Sequence, residues 1–176
     1  MRFYLISFLF LISLNVQSIF DFQVNSDISN WYVVVDGVMG GKSTGNFQLN
    51  EDGHAVFTGT ISLENNGGFS SVRYDMEKME ISDDKTVSIR LKGDGKNYQF
   101  RVKNNDQDYF SYIAEFTTNG EWQEVEINLK DMYPSFRGRK LDKPNFNHSH
   151  IDEVTFLIAN KKNEEFQLLI DKIELK

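Results

Sequence analysis

The sequence predicts an all-β protein built as an antiparallel β-sandwich, a jelly roll. Three observations support this class. Apolar and polar residues alternate with a period of two in many short segments, turn residues separate these segments, and no segment shows sustained helical periodicity. Eight or more such segments at this spacing are typical of a sandwich or a barrel.

The clearest strands lie in the middle of the chain. Residues 87–91 and 98–102 each place three apolar side chains on one face. The intervening Gly93-Asp94-Gly95-Lys96 has turn chemistry, so the pattern predicts a hairpin in which Leu91 faces Tyr98. This register puts both apolar sets on the same face of the hairpin.

Further strands are predicted before and after this pair. In the last of them the apolar parity shifts at Asp171-Lys172, which indicates a β-bulge. Short helical turns are predicted at residues 75–80 and around Asp131. The further strands cover residues 55–63, 69–74, 112–116, 125–129, 154–158 and 166–175.

The first 18 residues are typical of a secretory signal peptide. Met1-Arg2 gives a positive start, residues 3–14 are apolar apart from two serines, and the small Ser18 closes the segment. The apolar run is shorter than the ~20 residues that a membrane-spanning helix needs. We therefore predict cleavage near Ser18, one domain over residues 19–176, no transmembrane segment in the mature chain, and a periplasmic or secreted location.

Composition narrows the classes of function. The chain has no cysteine, which excludes thiol chemistry and cysteine-ligated zinc. Its formal net charge is -7, which argues against a nucleic-acid partner, because such partners require concentrated positive charge. Gly41-Lys42-Ser43 looks like the end of a phosphate-binding loop, but the first glycine of that motif would fall at Asp36. No cofactor is expected.

No catalytic or metal site is expected either. His148-Ser149-His150 lacks the carboxylate spacing that completes a zinc site, and no nucleophile-elbow motif is present. The paired carboxylates Asp83-Asp84 lie in a polar stretch typical of a solvated loop. Residues 104–108 contain enough oxygen ligands for calcium but lack the EF-hand pattern, which favours a polar connection between strands.

Two glycine-rich loops, residues 36–43 and 63–73, are the main candidates for a binding region. Pairs of glycines indicate loops of defined shape, since glycine is used where positive φ or close packing excludes a side chain. One alternative remains open: the glycines only allow tight turns, and Asp36 pairs internally with Arg73. The candidate binding residues here are Trp31, Asp36, Gly37, Met39, Gly40, Gly41, Asn65, Asn66, Gly67, Gly68 and Arg73.

A basic segment, Arg137-Gly138-Arg139-Lys140, adds a second candidate. Arg137 and Arg139 suit recognition of an anion or an acidic partner, because a guanidinium binds a carboxylate with two hydrogen bonds. The alternative is internal pairing with a carboxylate such as Asp36 or Asp142. Both interpretations stay open on the sequence.

Aromatic residues raise the question of a sugar-stacking surface. Aromatics at alternating strand positions are usually core residues, and a sugar site requires several exposed together. The residues concerned are Trp31, Tyr32, Tyr98, Tyr109, Tyr112 and Trp122.

Taken together, these motifs resemble the complex I intermediate-associated protein 30 family. The resemblance spans nearly all of residues 19–176. It rests on Asp36-Gly37-Val38-Met39-Gly40-Gly41, Leu63-Glu64-Asn65-Asn66-Gly67-Gly68-Phe69, Ser71-Val72-Arg73, Gly93-Asp94-Gly95 and Phe136-Arg137-Gly138-Arg139.

The resemblance implies a galactose-binding-like β-sandwich and a non-catalytic, protein-binding role, as an assembly factor or chaperone. Mitochondrial relatives help to assemble respiratory complex I. An exported protein does not meet those intermediates, so we expect a protein partner in a membrane or envelope complex. The alternative is an exported carbohydrate-binding module with a glycan ligand, as the fold is shared with many such modules.

Overall fold

The computed structural model describes residues 16–81 and 85–176, apart from the side chain of Met39. Residues 1–15 of the predicted signal peptide and the pair Asp83-Asp84 lie outside the described residues. Within the described ranges, no helix has the length and apolar character that crossing a membrane requires.

The described chain forms thirteen β-strands and three short 3₁₀ helices. The strands are β1 Gln17–Asp21, β2 Trp31–Val35, β3 Asn46–Leu49, β4 Ala55–Ile61, β5 Ser70–Glu80, β6 Thr86–Gly93, β7 Asn97–Lys103, β8 Ser111–Thr117, β9 Trp122–Asn128, β10 Tyr133–Phe136, β11 Arg139–Lys140, β12 His150–Ile158 and β13 Glu164–Leu175. The 3₁₀ helices are Asp36–Met39, Glu64–Asn66 and Leu129–Asp131.

These strands form two antiparallel sheets, which confirms the predicted all-β sandwich. The six-stranded sheet has the order β3-β4-β13-β6-β9, with β1 also pairing with β13. The seven-stranded sheet has the order β11-β10-β8-β7-β12-β5-β2. The predicted shift in the last strand is confirmed, because the register between β13 and β6 slips between Ile170 and Lys172.

Strand β13 lies at the centre of the six-stranded sheet. It pairs with β6 on one side, and with β4 and then β1 on the other. Gln17 and Ser18 of β1, at the predicted cleavage position, pair with Leu175 and Glu174.

The core lies between the two sheets and is made by the alternating apolar positions read from the sequence. Burying each such side chain contributes about 1.5–3 kcal/mol relative to leaving it in water. Its largest fully buried members include Phe57, Ile61, Ile89, Leu91, Tyr98, Phe100, Phe156, Ile158, Leu168 and Ile170.

The predicted hairpin between β6 and β7 is wrong. Leu91 pairs with Ile170 and Gln123, whereas Tyr98 pairs with Phe116, so the two strands belong to different sheets. The Gly93–Lys96 turn crosses between the sheets, and alternation cannot distinguish pairing within a sheet from facing across the core.

The carboxylate of Asp94 fixes this crossing. It accepts hydrogen bonds from the Tyr98 hydroxyl at 2.9 Å and from the Gln167 backbone N–H of β13 at 2.9 Å. The turn is therefore held to both sheets instead of closing a hairpin.

The helical turn predicted at residues 75–80 is also wrong, because β5 continues to Glu80. Pairing with β12 places Met79 opposite Ile151 and Glu80 opposite His150, so the ladder overrides the local pattern. The turn predicted around Asp131 is confirmed as the 3₁₀ helix Leu129–Asp131.

Candidate functional site

The two glycine-rich loops meet at one end of the sandwich. Residues 36–45 lead from β2 to β3, and residues 62–69 lead from β4 to β5, so both cross between the sheets. The Asn65 side-chain amide donates a hydrogen bond of 2.7 Å to the Gly40 carbonyl. The loops therefore form one connected unit.

The carboxylate of Asp36 holds this unit together. It accepts hydrogen bonds from the Ser43 backbone N–H at 3.0 Å and the Ser43 hydroxyl at 2.5 Å. From the second loop it accepts the backbone N–H groups of Gly68 at 2.6 Å and Phe69 at 3.3 Å. The side chain is buried, and four donors use the capacity of one carboxylate.

The same contacts determine the ionisation of Asp36. Burial on its own raises the pKa of Asp36, but the hydrogen bonds from Ser43, Gly68 and Phe69 outweigh burial, and the pKa falls below its ordinary value of 3.8. Pairing of Asp36 with Arg73, one alternative drawn from the sequence, is wrong. Arg73 points out of the other face of β5, opposite Tyr32 and Thr155.

The glycines give these loops their shape. A Cβ on Gly41 would lie 2.2 Å from Asp36 Oδ1, and one on Gly67 would lie 2.6 Å from Asp36 Oδ2. Gly40 and Gly68 have φ values of +82° and +133°, which side chains rarely tolerate. The remaining predicted residues here, Gly37, Met39 and Asn66, lie in the two 3₁₀ helices of the loops.

Trp31 lies in the core and not on a surface. Its ring stacks on Tyr74 with centroids 4.8 Å apart and on Phe47 at 5.1 Å. Phe20 and Phe22 complete this aromatic cluster. Tyr98 and Tyr112 are also buried, whereas Tyr32 and Tyr109 are exposed.

The basic segment lies at the opposite end of the seven-stranded sheet from the glycine loops. There it joins exposed aromatic rings in a surface that we call the basic rim. Tyr109, 60% exposed, contacts Phe136 edge-on with ring centroids 5.1 Å apart, and the Arg137 guanidinium lies over Phe136. The basic rim comprises the exposed residues Tyr109, Phe136, Arg137, Arg139, Lys140 and Lys143, and the buried Phe110 contacts Tyr109 and Lys143.

The four cations of the basic rim are not neutralised internally. Arg137, Arg139, Lys140 and Lys143 are all exposed, and none forms a salt bridge with a carboxylate of residues 16–81 or 85–176. Internal pairing with Asp36 or Asp142, the alternative left open by the sequence, is therefore wrong.

A third feature, the outer face of the seven-stranded sheet, was not predicted. Strand register places one side chain from each of six strands in a row across it: Tyr32, Arg73, Thr155, Arg101, Ile113 and Tyr133. Short polar side chains of this face, such as Ser71 and Thr155, are buried although they point away from the core. The polar positions of β5 and β7, which alternate with core positions, were the sequence signal for this face.

Next to this row lies a cleft of about 270 Å³. It lies on the same face, toward the end that carries the glycine loops. Polar side chains dominate its lining, with Leu157 as an apolar floor. The side chains on this face are Asn97, Gln99, Glu115, Thr117, Leu157 and Asn160.

The polar loop at residues 104–108 binds the side chain of Lys103 through its backbone carbonyls. The Lys103 ammonium donates to the backbone carbonyls of Asp106 at 3.2 Å and Asp108 at 2.7 Å.

His148 is hydrogen-bonded to the Tyr112 hydroxyl at 2.7 Å. Among the described residues, no three histidine or carboxylate side chains group closely enough to hold a metal ion.

Comparison with known proteins gives matches in both sequence and structure. The sequence model described as "Complex I intermediate-associated protein 30 (CIA30)" matches residues 20–170. The mouse protein named "Complex I intermediate-associated protein 30, mitochondrial" is 25% identical over 179 residues. The match covers 88% of this chain and 54% of the mouse protein, so the chain spans about half the length of that relative.

Solved structures with the same fold include carbohydrate-binding modules. A family 11 module from Clostridium thermocellum, in complex with a beta-1,3-1,4-mixed-linked tetrasaccharide, superposes with a TM-score of 0.67 at 18% identity. That match covers 91% of this chain and 94% of the module. An agarase matches with a TM-score of 0.63 at 13% identity, over 92% of this chain and 24% of the enzyme. At these identities the similarity concerns the fold alone.

Proposed function

The chain belongs to the complex I intermediate-associated protein 30 family, and from this premise we propose that it is a non-catalytic binding module that captures a protein partner, as an assembly factor or chaperone does. The basic rim is the observation that carries the proposal. The name of the mouse relative associates it with complex I intermediates. For this chain, whose first 18 residues are typical of an export signal, we expect a partner in an envelope or secreted complex.

The chemistry of the basic rim fits an acidic segment of a protein. Tyr109 and Phe136 are exposed aromatic rings in mutual contact, and tyrosine and arginine are enriched among the residues that dominate protein interfaces. Around these rings lie four cations without carboxylate partners in the described chain, on a protein whose formal net charge is -7. Complementary charge from the partner would orient the encounter, and the rings would supply apolar contact.

A cross-linking experiment tests this assignment. Residues 19–176 serve as bait in the envelope and secreted fractions of the native host, and mass spectrometry identifies cross-links from Lys140 and Lys143. We expect one defined protein, cross-linked through an acidic segment, that is lost with the double variant Arg137→Glu, Arg139→Glu.

The matched control is Lys161→Glu with Lys162→Glu. These lysines are exposed, their replacement changes the charge equally, and they lie at the opposite end of the seven-stranded sheet. Capture that survives the rim substitutions in a normally folded protein, or that both double variants weaken alike, would contradict the role of the rim.

Carbohydrate binding is the second candidate, favoured by the cleft on the outer face of the seven-stranded sheet. The cleft approaches the roughly 300 Å³ at which ligand pockets begin, and the family 11 module of the same fold was solved with a tetrasaccharide. Titration with glycans should then quench or enhance the fluorescence of tyrosines on this face. A glycan array without any signal would contradict this candidate.

A further inference from the structure

The outer face of the seven-stranded sheet carries two arginines on either side of one short residue. Thr155 of β12 is paired with Arg73 of β5 on one side and with Arg101 of β7 on the other. Neighbouring strands lie about 4.8 Å apart, so the two arginine Cα atoms are separated by roughly 10 Å. Their long side chains can reach one group placed above Thr155.

Neither arginine is held by a direct salt bridge in the described part of the chain. Arg101 donates from Nε and Nη2 to Gln99 Oε1, at 3.1 Å and 2.6 Å, and this acceptor is an uncharged amide. The Nε of Arg73 is buried and has no hydrogen-bond partner. Within residues 16–81 and 85–176, no carboxylate forms a salt bridge with either guanidinium.

The nearby carboxylates act at longer range or are engaged elsewhere. Glu153 and Glu115 attract Arg101 from beyond salt-bridge distance, and Glu153 accepts the Thr155 hydroxyl at 3.0 Å. Asp75 accepts the Tyr32 hydroxyl at 3.2 Å.

Burial and the neighbouring charge make this arrangement costly. Burial, and then the charge of Arg73, lower the pKa of Arg101 to about 10, which still leaves it charged at neutral pH. Two like charges that are partly buried, with carboxylates only beyond salt-bridge distance, are unfavourable in the free protein. A carboxylate bound between the two guanidinium groups would offset part of their charge, and the planar guanidinium is suited to two parallel hydrogen bonds with a carboxylate.

The adjoining cleft indicates what the rest of the ligand is. Gln99, the acceptor for Arg101, also lines the cleft. The amide, hydroxyl and carboxylate groups of Asn97, Glu115, Thr117 and Asn160 suit a ligand rich in hydroxyl groups, because each such group can donate to or accept from a hydroxyl. A peptide side chain would instead require apolar contact, for which the cleft offers little besides Leu157.

We propose that the outer face of the seven-stranded sheet binds a uronic-acid-containing glycan, with one sugar carboxylate held by Arg73 and Arg101 above Thr155 and an adjacent sugar ring in the cleft. This inference rests on the carbohydrate-binding candidate and is independent of protein capture by the basic rim.

Calorimetric titration with short oligogalacturonides tests the proposal, alongside the same oligosaccharides with every carboxylate methyl-esterified. Esterification keeps the sugar backbone and removes the charge. Oligomers of mannuronate and of glucuronate extend the panel to other uronic acids. We expect binding of at least one free acid, and a loss of at least roughly tenfold in affinity on esterification, as expected for a lost charge-assisted hydrogen bond.

The variants Arg73→Gln and Arg101→Gln should each cause a similar loss of affinity. Unchanged circular dichroism and a thermal midpoint no lower than that of the unsubstituted protein would show that the fold is intact. The matched control is Arg90→Gln, an exposed arginine of the six-stranded sheet, which should leave affinity unchanged. If an arginine variant fails to fold, the comparison of acid with ester in the unsubstituted protein still decides the question.

Three results with the uronates, the arginine variants and an acidic peptide would overturn the inference. They are equal affinity for acid and ester, full affinity in both arginine variants, and an acidic peptide that needs Arg73 and Arg101 while no uronate binds. Binding of neutral glycans independently of the arginines would overturn only this inference and leave the carbohydrate-binding candidate in place. An absence of binding to any glycan would contradict both this inference and the carbohydrate-binding candidate.

Discussion

Replacing Asp36 by alanine should test whether this carboxylate holds the two glycine loops together. The substitution leaves the backbone N–H groups of Ser43, Gly68 and Phe69 without their acceptor. The Ser43 hydroxyl does not add to the cost, because the Ser62 carbonyl lies 3.3 Å away and accepts it instead.

The expected loss follows from these three donors. Each buried donor left unpaired costs about 1–3 kcal/mol. Those of Gly68 and Phe69 are only partly buried, and the bond to Phe69 is the longest of the set. We therefore expect Asp36→Ala to lower the free energy of unfolding by roughly 3–5 kcal/mol, toward the lower end of the simple sum.

Urea denaturation followed by tryptophan fluorescence measures this difference, since Trp31 lies at the start of the strand that leads into Asp36. Asp142→Ala is the control, because Asp142 is exposed and forms no contact of this kind within the described chain. It should change stability by less than about 0.5 kcal/mol. A loss below about 1 kcal/mol for Asp36→Ala would refute the assignment of Asp36 as the tie between the loops.

Two further predictions concern the same end of the sandwich and its ionisation. Gly41→Ala should lower the free energy of unfolding by about 1–3 kcal/mol, because the new Cβ overlaps the Asp36 carboxylate. Gly37→Ala is the control and should be neutral or slightly stabilising, because the nearest atom, Val35 Cγ2, lies 4.0 Å from the new Cβ. Similar urea midpoints for the two variants would contradict this prediction. Both Asp36 and Asp94 have lowered pKa values, because hydrogen bonds outweigh the effect of burial. The two carboxylates therefore contribute their full stabilisation of the fold at a pH above their unfolded-state pKa of 3.8. This stabilisation is lost as the pH falls through their lower folded-state pKa values. Urea midpoints measured down to about pH 3 should fall more steeply for the unsubstituted protein than for Asp36→Ala, and parallel curves would contradict the argument.

The period-two pattern predicted the strands well, because burial of one face is a local property of the sequence. It could not predict which strands pair. Leu91 and Tyr98 alternate as a hairpin would, yet they pair in different sheets. The turn between them is held by a hydrogen bond from the Gln167 N–H to Asp94, 73 positions away. Long-range contacts of this kind leave no trace in a local window.

The site shows the same division. The glycines of Asp36–Gly41 and Asn65–Gly68 indicated loops of defined shape. They did not indicate that the Asp36 carboxylate accepts hydrogen bonds from both loops. The sequence indicated Arg73 as a candidate binding residue because it follows the second glycine loop, whereas no motif distinguishes Arg101. The two become a pair only through β12, which places Thr155 between them.

The position of β13 has a consequence for synthesis of the protein. It follows every other strand in the chain, yet it is the neighbour that β4, β6 and β1 all require. Until residues 164–175 have been made, each of these three strands has an unpaired edge. The β3-β4 pair and the β6-β9 pair can therefore join into one sheet only after residues 164–175 have been made.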